Sequence, residues 1–446
     1  MKEGNINIGI IGWGTVGSGV AKILLNQDEF IGQAGKVSLN LRRIADLDIT
    51  TPRDIDVDTS LLTTDAASVI NDPDIDIVVE TIGGLNPATG FITSALRAGK
   101  NVVTANKAVL AMHARELFQT ARDNRVRLGF EASVGGCIPI IRSLQEGFAS
   151  NRVQAIYGIV NGTSNYVLTE MTEKGMDFHE ALAEAQERGY AEADPSADIE
   201  GIDAANKIAI LTSLAFGVDV KVSDVFVQGI TQITKREISY ARELGYCIKL
   251  LAIVKLVDGN KLQVRVHPTM LPERSMLAYV NGVFNAIFVV GNATGSTMLY
   301  GRGAGQMPAA SAVVSDIIDI AKTIGAGADP QFLTSPTLDS SEFSLKPIEE
   351  CETRYYIRFQ ALDKPGVLAR IAGILGEHGI SISSVIQKER SEGESVPVVI
   401  MTHEAIEENV QSALREIDDL SVVSAKSTLI RVETMDGGEE RELAIV

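Results

Sequence analysis

The sequence predicts an α/β chain of about three domains: a doubly wound parallel sheet, a mixed α+β domain and a small ferredoxin-like domain towards the C-terminal end. Three observations carry this. Residues 5–135 alternate short apolar runs that stop at glycines with stretches of helical spacing, and that alternation ends near residue 140. Residues 353–433 then read strand–helix–strand–strand–helix–strand, the ferredoxin-like order.

In order along the chain, INIGIIG (6–12) is an apolar run of buried-strand type, and helical spacing follows from Thr15 to about Asn26. VSLNLRRIAD and DIDIVVETIGG predict the second and third strands, NPATGFITSALRAG a helix with a glycine stop, and NVVTANK a fourth strand. HARELFQTARDN predicts a helix and RVRLGFEASVGG a further strand. Past residue 140, IPIIRSLQEGFA predicts an amphipathic helix, and VQAIYGIVNGTSNYVLTEM a strand entering a helix. FHEALAEAQERG is helical, and an acidic stretch then leads into another helix. IKLLAIVKLVDGNKLQVRVHP predicts a hairpin about Asp-Gly-Asn, VFNAIFVV a strand, and residues 307–325 a long helix returning to the first domain. Residues 326–352, rich in Pro, Ser and Asp, read as a linker, and MDGGEERELAIV (435–446) as a loose acidic tail.

Composition narrows the function classes. Hydrophobic residues at 45% and charged residues at 22% describe an ordinary globular protein, and a net charge of −18 argues against nucleic-acid and anionic-membrane surfaces. Ser275 to Gly301 carries no formal charge and is long enough to span a bilayer, but its asparagines and glycines break it into runs far shorter than the ~18 residues needed. Cys137, Cys247 and Cys351 are scattered without a CxxC, as in a reducing compartment, and the N-terminus enters a strand without a signal-peptide pattern, so a cytoplasmic location is expected. The five histidines lack metal-ligand spacing, and GxSxG and P-loop patterns are absent.

Two stretches carry chemistry. GIIGWGTVGSGVAKIL sets Gly12, Gly14 and Gly17 in GxGxxG spacing between a strand and a helix. That pattern gives a tight turn, close backbone approach to a pyrophosphate, and a helix N-terminus facing its charge, so a Rossmann-type dinucleotide site is expected. Asp46, closing the second strand, could hold a ribose of NAD; Arg42 and Arg43 could hold a 2′-phosphate, and the reading leans to NADP with NAD tolerated. In GIDAANKIAILTSLAFG, Asp203 and Lys207 stand four apart on one helical face that continues as Ile210, Leu211 and Leu214. A lysine beside a carboxylate in a desolvated site can work as acid or base, whereas the plainer alternative is a weak surface ion pair. Glu192, Asp194 and Asp198 precede the helix and could bind a substrate ammonium.

The run Ala185, Gly189, Tyr190, Asp194-Pro195, Asp198, Gly201, Asp203 and Lys207 resembles the signature of homoserine dehydrogenases, and the resemblance extends to GIIGWGTVG, ETIGG, TANK, SVGGCIPII, GIVNGTSNY and YGRGAGQMP, over residues 5–325. LDKPGVLARIAGILGEHGISI resembles an ACT amino-acid-sensing module. The resemblance implies a nucleotide domain over 1–138, a substrate-binding and dimerisation domain over 139–306, and an ACT regulatory domain over 353–433. It implies reversible reduction of L-aspartate 4-semialdehyde to L-homoserine in threonine, methionine and isoleucine biosynthesis, by a homodimer or homotetramer.

Lys207 would be the proton donor, Asp203 its orienting partner and a substrate contact, Lys107 the second active-site lysine, and Glu192 and Asp198 substrate ligands. Thr15, Val16, Thr81, Thr104, Lys107 and Gly305 would join the glycines around the cofactor. Glu131, Val134, Gly136 and Ile138 would hold a monovalent cation, Na+ or K+, near the hinge, mostly through carbonyl oxygens, which suit such an ion. Asp363, Gly366 and Ile380 would bind an effector, threonine, across a subunit pair. A non-catalytic amino-acid sensor on a nucleotide-binding fold, and a reductase of another small amino-acid aldehyde, are the rival readings.

Overall fold

The computed structural model describes residues 5–35, 37–327, 336–388 and 394–435. The chain opens with β1 (Ile6–Ile11), α1 (Thr15–Leu25), the single turn α2 (Gln27–Phe30), β2 (Leu39–Ala45), β3 (Leu62–Thr63) and α3 (Ala66–Ile70). It continues with β4 (Ile77–Glu80), α4 (Ala88–Arg97), β5 (Asn101–Thr104), α5 (Lys107–Asp123) and β6 (Leu128–Gly129). These six strands form a wholly parallel sheet in the order β3-β2-β1-β4-β5-β6. Strand order reverses between β1 and β4, and in such sheets ligands bind at the carboxyl ends beside that reversal.

Middle elements follow as α6 (Ile140–Arg142), β7 (Val153–Ile159), α7 (Gly162–Lys174), α8 (Phe178–Glu187), α9 (Ser196–Ile199), α10 (Ile202–Phe216), β8 (Phe226–Val227) and α11 (Lys235–Glu243). Then come β9 (Tyr246–Val257), β10 (Lys261–Pro272), β11 (Phe284–Gly291), β12 (Gly295–Arg302) and α12 (Gln306–Gly325). The last part is β13 (Ser344–Leu345), β14 (Glu352–Leu362), α13 (Val367–Glu377), β15 (Ile382–Ile386), β16 (Ser395–Thr402), β17 (Ala405–Ile406), α14 (Glu407–Asp418) and β18 (Val423–Val432).

Three elements depart from the sequence reading. The amphipathic helix expected over IPIIRSLQEGFA is α6 followed by a π turn over Ser143–Gly147, closed by Phe148 N–H to Ser143 O at 2.8 Å. The strand expected over RVRLGFEASVGG pairs only at Leu128–Gly129, after which Glu131–Ser133 turn as a 3₁₀ helix. Helix α11 was not expected; its buried set of Ile238, Tyr240, Ala241 and Glu237 is too short to print a clear apolar period. Of the expected linker, residues 328–335 lie outside the described residues, as do residues 436–446 of the expected tail.

The chain divides into two compact units, one drawn from Met1–Gly162, Asp203–Val225 and Val283–Phe343, the other from Thr163–Ile202, Phe226–Gly282 and Ser344–Val446. In the first, Ile8, Ile10, Val20, Ile23 and Leu24 pack with Ala310, Val313 and Ile317, so α12 lies on the same core as β1 and α1. Gln306 Nε2 donates to Ser18 Oγ at 3.0 Å across that contact. Strand β11 pairs antiparallel with both β7 and β12.

In the second unit β9 and β10 form the hairpin expected about Asp258-Gly259-Asn260, with Asp258 and Gly259 both at positive φ. Strand β18 runs parallel to β10, and the order β18-β14-β16-β15 completes a ferredoxin-like sheet. Tyr355, Ile357 and Phe359 point from alternate positions of β14 onto Ile371 and Leu375 of α13 and Val410 and Ile417 of α14.

An ionic network with a buried Arg265–Glu433 pair at its centre lies where β10 meets β18. The Arg265 guanidinium pairs with Glu433, Lys255 Nζ reaches the same carboxylate at 2.8 Å, and Arg265 Nε donates to His267 Nε2 at 3.2 Å. Burial pushes Glu433 up, but Arg265 and Lys255 outweigh it and hold the carboxyl below its ordinary range. An Arg265→Met variant should therefore lose up to about 3 kcal/mol in urea denaturation, because the buried Glu433 carboxylate loses its buried partner and keeps only the partly exposed Lys255, and Arg265→Met with Glu433→Leu should recover most of it.

Candidate active site

The first unit brings Lys207, Asp203 and Lys107 together. Asp203 and Lys207 occupy adjacent turns of α10, and both are buried, at 5% and 9% exposure. Lys207 Nζ donates to Asp203 Oδ2 and to the Val160 carbonyl, each at 2.6 Å. Lys107, the first residue of α5, sets its Nζ 2.6 Å from Asp203 Oδ1, and Asn161 Nδ2 donates to Asp203 Oδ2 at 2.9 Å. Burial would raise the Asp203 carboxyl, yet Lys207 and then Lys107 overcome it and hold the group well below the usual carboxylate range. The arrangement is one fixed anion between two ammonium groups. Lys207 is sheltered, while the Lys107 side chain is 44% exposed.

Local sequence explains how these side chains are placed. Strand β7 ends at Ile159, so Val160 and Asn161 form the short bend before α7 and turn a carbonyl and an amide towards α10. Strand β5 stops at Thr104, and the Asn106 side chain accepts from Val109 N–H at 3.3 Å to start α5, which places Lys107 at a helix N-terminus rather than at a strand's end. Asn106 also donates to the Gly84 carbonyl at 2.7 Å. Glu80, at the end of β4, accepts from Ile82 N–H at 2.8 Å and from Thr104 Oγ1 at 2.6 Å. Thr104 is thus fully buried and engaged in holding the loop after β4. Asn161, Glu80 and Asn106 were not singled out from sequence. Asn161, Glu80 and Asn106 lie inside GIVNGTSNY, ETIGG and TANK, and those stretches were the available signal.

The glycine turn lies at the strand-order reversal. Gly12 has φ 104°, and a Cβ on Gly17 would stand 1.9 Å from the Gly12 carbonyl oxygen, so the turn excludes side chains at both positions. Gly14 is the residue before α1, with open space where a Cβ would point, and Thr15 and Val16 form the first turn of that helix. Thr81 Oγ1 donates to Gly12 O at 2.8 Å. Gly305, at φ 118°, precedes α12, whose first residue contacts Ser18 of α1. Asp46 accepts from Trp13 N–H, and Arg53 Nε donates to Trp13 O at 2.9 Å with its guanidinium 5.3 Å from the indole centroid.

The arginine pair of β2 separates. The register of β2 against β1 skips at Arg42, which turns away to Asp72 and Asp74, 2.8 Å from each, whereas Arg43 stays in register opposite Gly9. Arg42 is spent on that carboxylate pair, which leaves Arg43 as the candidate for a 2′-phosphate.

In the loop after β6, where a cation is expected from the sequence, Gly135 and Gly136 have φ 74° and 61°, and the Glu131 carboxylate accepts from Ile141 N–H at 2.8 Å and Arg142 N–H at 2.9 Å. Ile138 N–H donates to Gly135 O at 3.0 Å. Glu131 N–H donates to Asp316 Oδ2 at 2.8 Å. Burial raises the Glu131 carboxyl and pushes Asp316 up to about 7. Among the described residues no group of three or more His, Cys, Asp or Glu could hold a metal ion, so a cation here would rely on backbone carbonyls such as those of Val134 and Gly136. Glu131 and Asp316 are both buried carboxyls, with Arg142 Nη2 3.6 Å from Asp316, and a small positive ion would suit this charge balance.

Glu192 and Asp198 belong to the second unit. Glu192 is exposed and its carbonyl accepts from Gln186 Nε2 at 3.1 Å, while Asp198 O accepts from Ser164 Oγ at 2.8 Å. In the ferredoxin-like part, Asp363 N–H donates to Glu394 O at 2.8 Å, Gly366 at φ 89° opens α13, and Ile380 is buried in the core beneath the sheet. No helix among the described residues is long and apolar enough to cross a membrane.

Residues 12–131 match the family profile described as the homoserine dehydrogenase NAD-binding domain, residues 139–318 that of homoserine dehydrogenase, and residues 355–422 that of the ACT domain. The homoserine dehydrogenase of Pseudomonas aeruginosa is 42% identical over 436 residues, covering 97% of this chain and 99% of that one. A crystal structure of the Thiobacillus denitrificans homoserine dehydrogenase superposes with a TM-score of 0.89 at 41% identity, over 97% of this chain and 99% of that one. A hyperthermophilic archaeal homoserine dehydrogenase in complex with NADPH superposes at 0.60 and 28% identity, over 72% and 98%. The lysine–carboxylate–lysine set about the buried Asp203, the glycine turn and 42% identity over nearly the whole chain lead to one statement: the chain belongs to the homoserine dehydrogenase family.

Proposed function

We propose that the chain interconverts L-aspartate 4-semialdehyde and L-homoserine, with NADP preferred and NAD accepted. The observation that carries the chemistry is the Lys207–Asp203–Lys107 set, in the same compact unit as the glycine turn. A reduced nicotinamide, when bound, supplies the hydride to the aldehyde carbon. Lys207 gives its proton to the carbonyl oxygen as that oxygen becomes the alcohol, and in homoserine oxidation the neutral lysine takes the hydroxyl proton back. The Val160 carbonyl and the Asp203 carboxylate fix the direction of the Lys207 N–H bonds, so the proton is aimed before substrate arrives. Asp203 would also contact the substrate hydroxyl, and Lys107 would act near nicotinamide and substrate.

Glu192 and Asp198 hold the substrate ammonium. Gly12, Gly14, Thr15, Val16, Gly17, Thr81 and Gly305 line the cofactor, Thr104 through the loop it holds, and Arg43 takes the 2′-phosphate. The NADPH complex of the archaeal relative supports that preference. Glu131, Val134, Gly136 and Ile138 hold Na+ or K+. The functional division places the nucleotide domain at 1–138 with the helix returning after residue 306, the substrate and dimerisation domain at 139–306, and the ACT domain at 353–433. Threonine binds at Asp363, Gly366 and Ile380 as feedback inhibitor of a cytoplasmic homodimer or homotetramer in threonine, methionine and isoleucine biosynthesis.

The test follows loss of reduced-nicotinamide absorbance with aspartate semialdehyde, using NADPH and NADH in turn, with and without threonine, and with Na+ or K+ replaced by tetramethylammonium. Turnover with NADPH above NADH, lowered by threonine and by loss of the small cation, is expected. No turnover with either cofactor would overturn the reading.

A further inference from the structure

We propose that Gln228 is a positioning residue that ties the buried Arg431–Glu407 pair of the ACT domain to the backbone carrying the acidic loop 190–201. The inference rests on the reading that Glu192 and Asp198 on that loop bind substrate. Every residue of the chain of contacts lies in the second compact unit.

It starts at Glu407, the first residue of α14, whose Oε2 accepts from Tyr355 OH at 2.9 Å and from Arg431 Nε at 2.8 Å. Arg431 and Glu407 are each 2% exposed, and the guanidinium lies 4.8 Å from the Phe226 ring centroid. With Nε and Nη2 committed to Glu407, Arg431 Nη1 donates to Gln228 Oε1 at 2.8 Å. Gln228 N–H donates to Val266 O at 2.8 Å, which fixes residue 228 to β10.

The next two residues grip the acidic loop. A Cβ on Gly229 would stand 2.3 Å from Ile199 O and 2.6 Å from Glu200 Cα, so the two backbones touch with no space for a side chain. Ile230 N–H donates to the same Ile199 O at 2.8 Å. A Cβ on Gly201, which has φ 85°, would meet Val227 Cγ1 and Val266 Cγ1 at 3.2 Å. Residues 199–201 are therefore clamped by residues 226–230, and Gln228 is the member of that clamp whose side chain reports to the ACT domain. Asp198 precedes the clamped segment by one residue, and Asp203 follows it by two in the sequence.

A planar bidentate Arg–carboxylate pair with its third nitrogen spent on one amide has little freedom. A shift of β18 or α14 moves the amide with it. Contacts of this kind between packed elements modulate a distant site by a few-fold to some tens of fold.

The test uses the full-length enzyme with Gln228→Leu, which keeps the size and removes the acceptor, and Gln228→Glu, which restores it. Gln228→Ala stands in if the leucine variant fails to fold. Hydrogen exchange of the peptide covering 190–201 and the Michaelis constants for aspartate semialdehyde and cofactor are measured together. Faster exchange in that peptide, with the semialdehyde KM raised about threefold to tenfold, cofactor KM and kcat within about twofold, and recovery in Gln228→Glu, is expected. Unchanged exchange in the leucine and alanine variants would overturn the proposal. Faster exchange with an unchanged semialdehyde KM would support the clamp and instead remove Glu192 and Asp198 from substrate binding.

Discussion

Lys207→Ala is expected to lower kcat by about 10²–10⁴-fold while the Kd for NADPH stays within about threefold. The wide gap between the two effects is the signature of a proton donor. Removing Lys207 deletes an ammonium that donates to both Asp203 and the Val160 carbonyl, but Asp203 keeps Lys107 at 2.6 Å and Asn161 at 2.9 Å, so the carboxylate is not left alone in the interior. The glycine turn is built from other residues and should bind cofactor as before. Lys207→Arg is the sharper companion, because a guanidinium keeps the charge but does not release its proton at working pH, and it should restore folding without restoring turnover. Steady-state assays in both directions, with fluorescence titration of NADPH, check both variants. A Lys207→Ala enzyme turning over at near wild-type rate would remove the proposed role.

How much of this was visible beforehand depends on the range of each interaction. The Asp203–Lys207 pair was legible because four-residue spacing on a helix is local and the rest of that helix is apolar. The glycine turn was legible for the same reason: Gly12 and Gly17 must both be small for one backbone crossing, and that crossing lies within six residues.

Lys107 was different. It reaches Asp203 across 96 positions of sequence, and no local pattern distinguishes it from any lysine beside a strand; only the family resemblance singled it out. Glu80 and Asn161 escaped because their importance lies in which distant donors and acceptors they satisfy, and a one-dimensional pattern does not record that. Arg42 looked equivalent to Arg43 until the register skip in β2 separated them. In the fold, long apolar strands and amphipathic helices were readable, whereas α11 and the π turn at Ser143–Gly147 depend on a few tertiary contacts and a cap supplied by Glu131.

Asp203→Asn should be nearly as damaging to turnover as loss of the lysine, for an electrostatic reason. The amide has almost the same shape, but two ammonium groups that shared one anion then face each other across a neutral side chain, and one amide N–H group is turned towards a donor. About 3–5 kcal/mol of stability is expected to be lost, the range for breaking a buried pair from one side. An opposite charge favours the protonated lysine, so without it the lysine gives up its proton more readily. Homoserine oxidation, which needs neutral Lys207, should keep a measurable rate whose acid limb lies below that of the wild type, while aldehyde reduction, which needs the proton, loses activity at a lower pH than before.

The stability profile moves in a coupled way. Asp203 is held well below the ordinary carboxylate range, so its contribution is fully present above the unfolded-state value of about 4 and is lost as pH falls through the folded-state value. The Asn variant lacks that titration. Its unfolding free energy should fall less steeply between pH 5 and pH 3, so the gap from the wild type narrows as acid is added. pH–rate profiles in both directions and urea denaturation across that range decide it. A parallel displacement of both stability curves, with pH–rate limbs unmoved, would mean that Asp203 holds α10 in place without setting the protonation of Lys207.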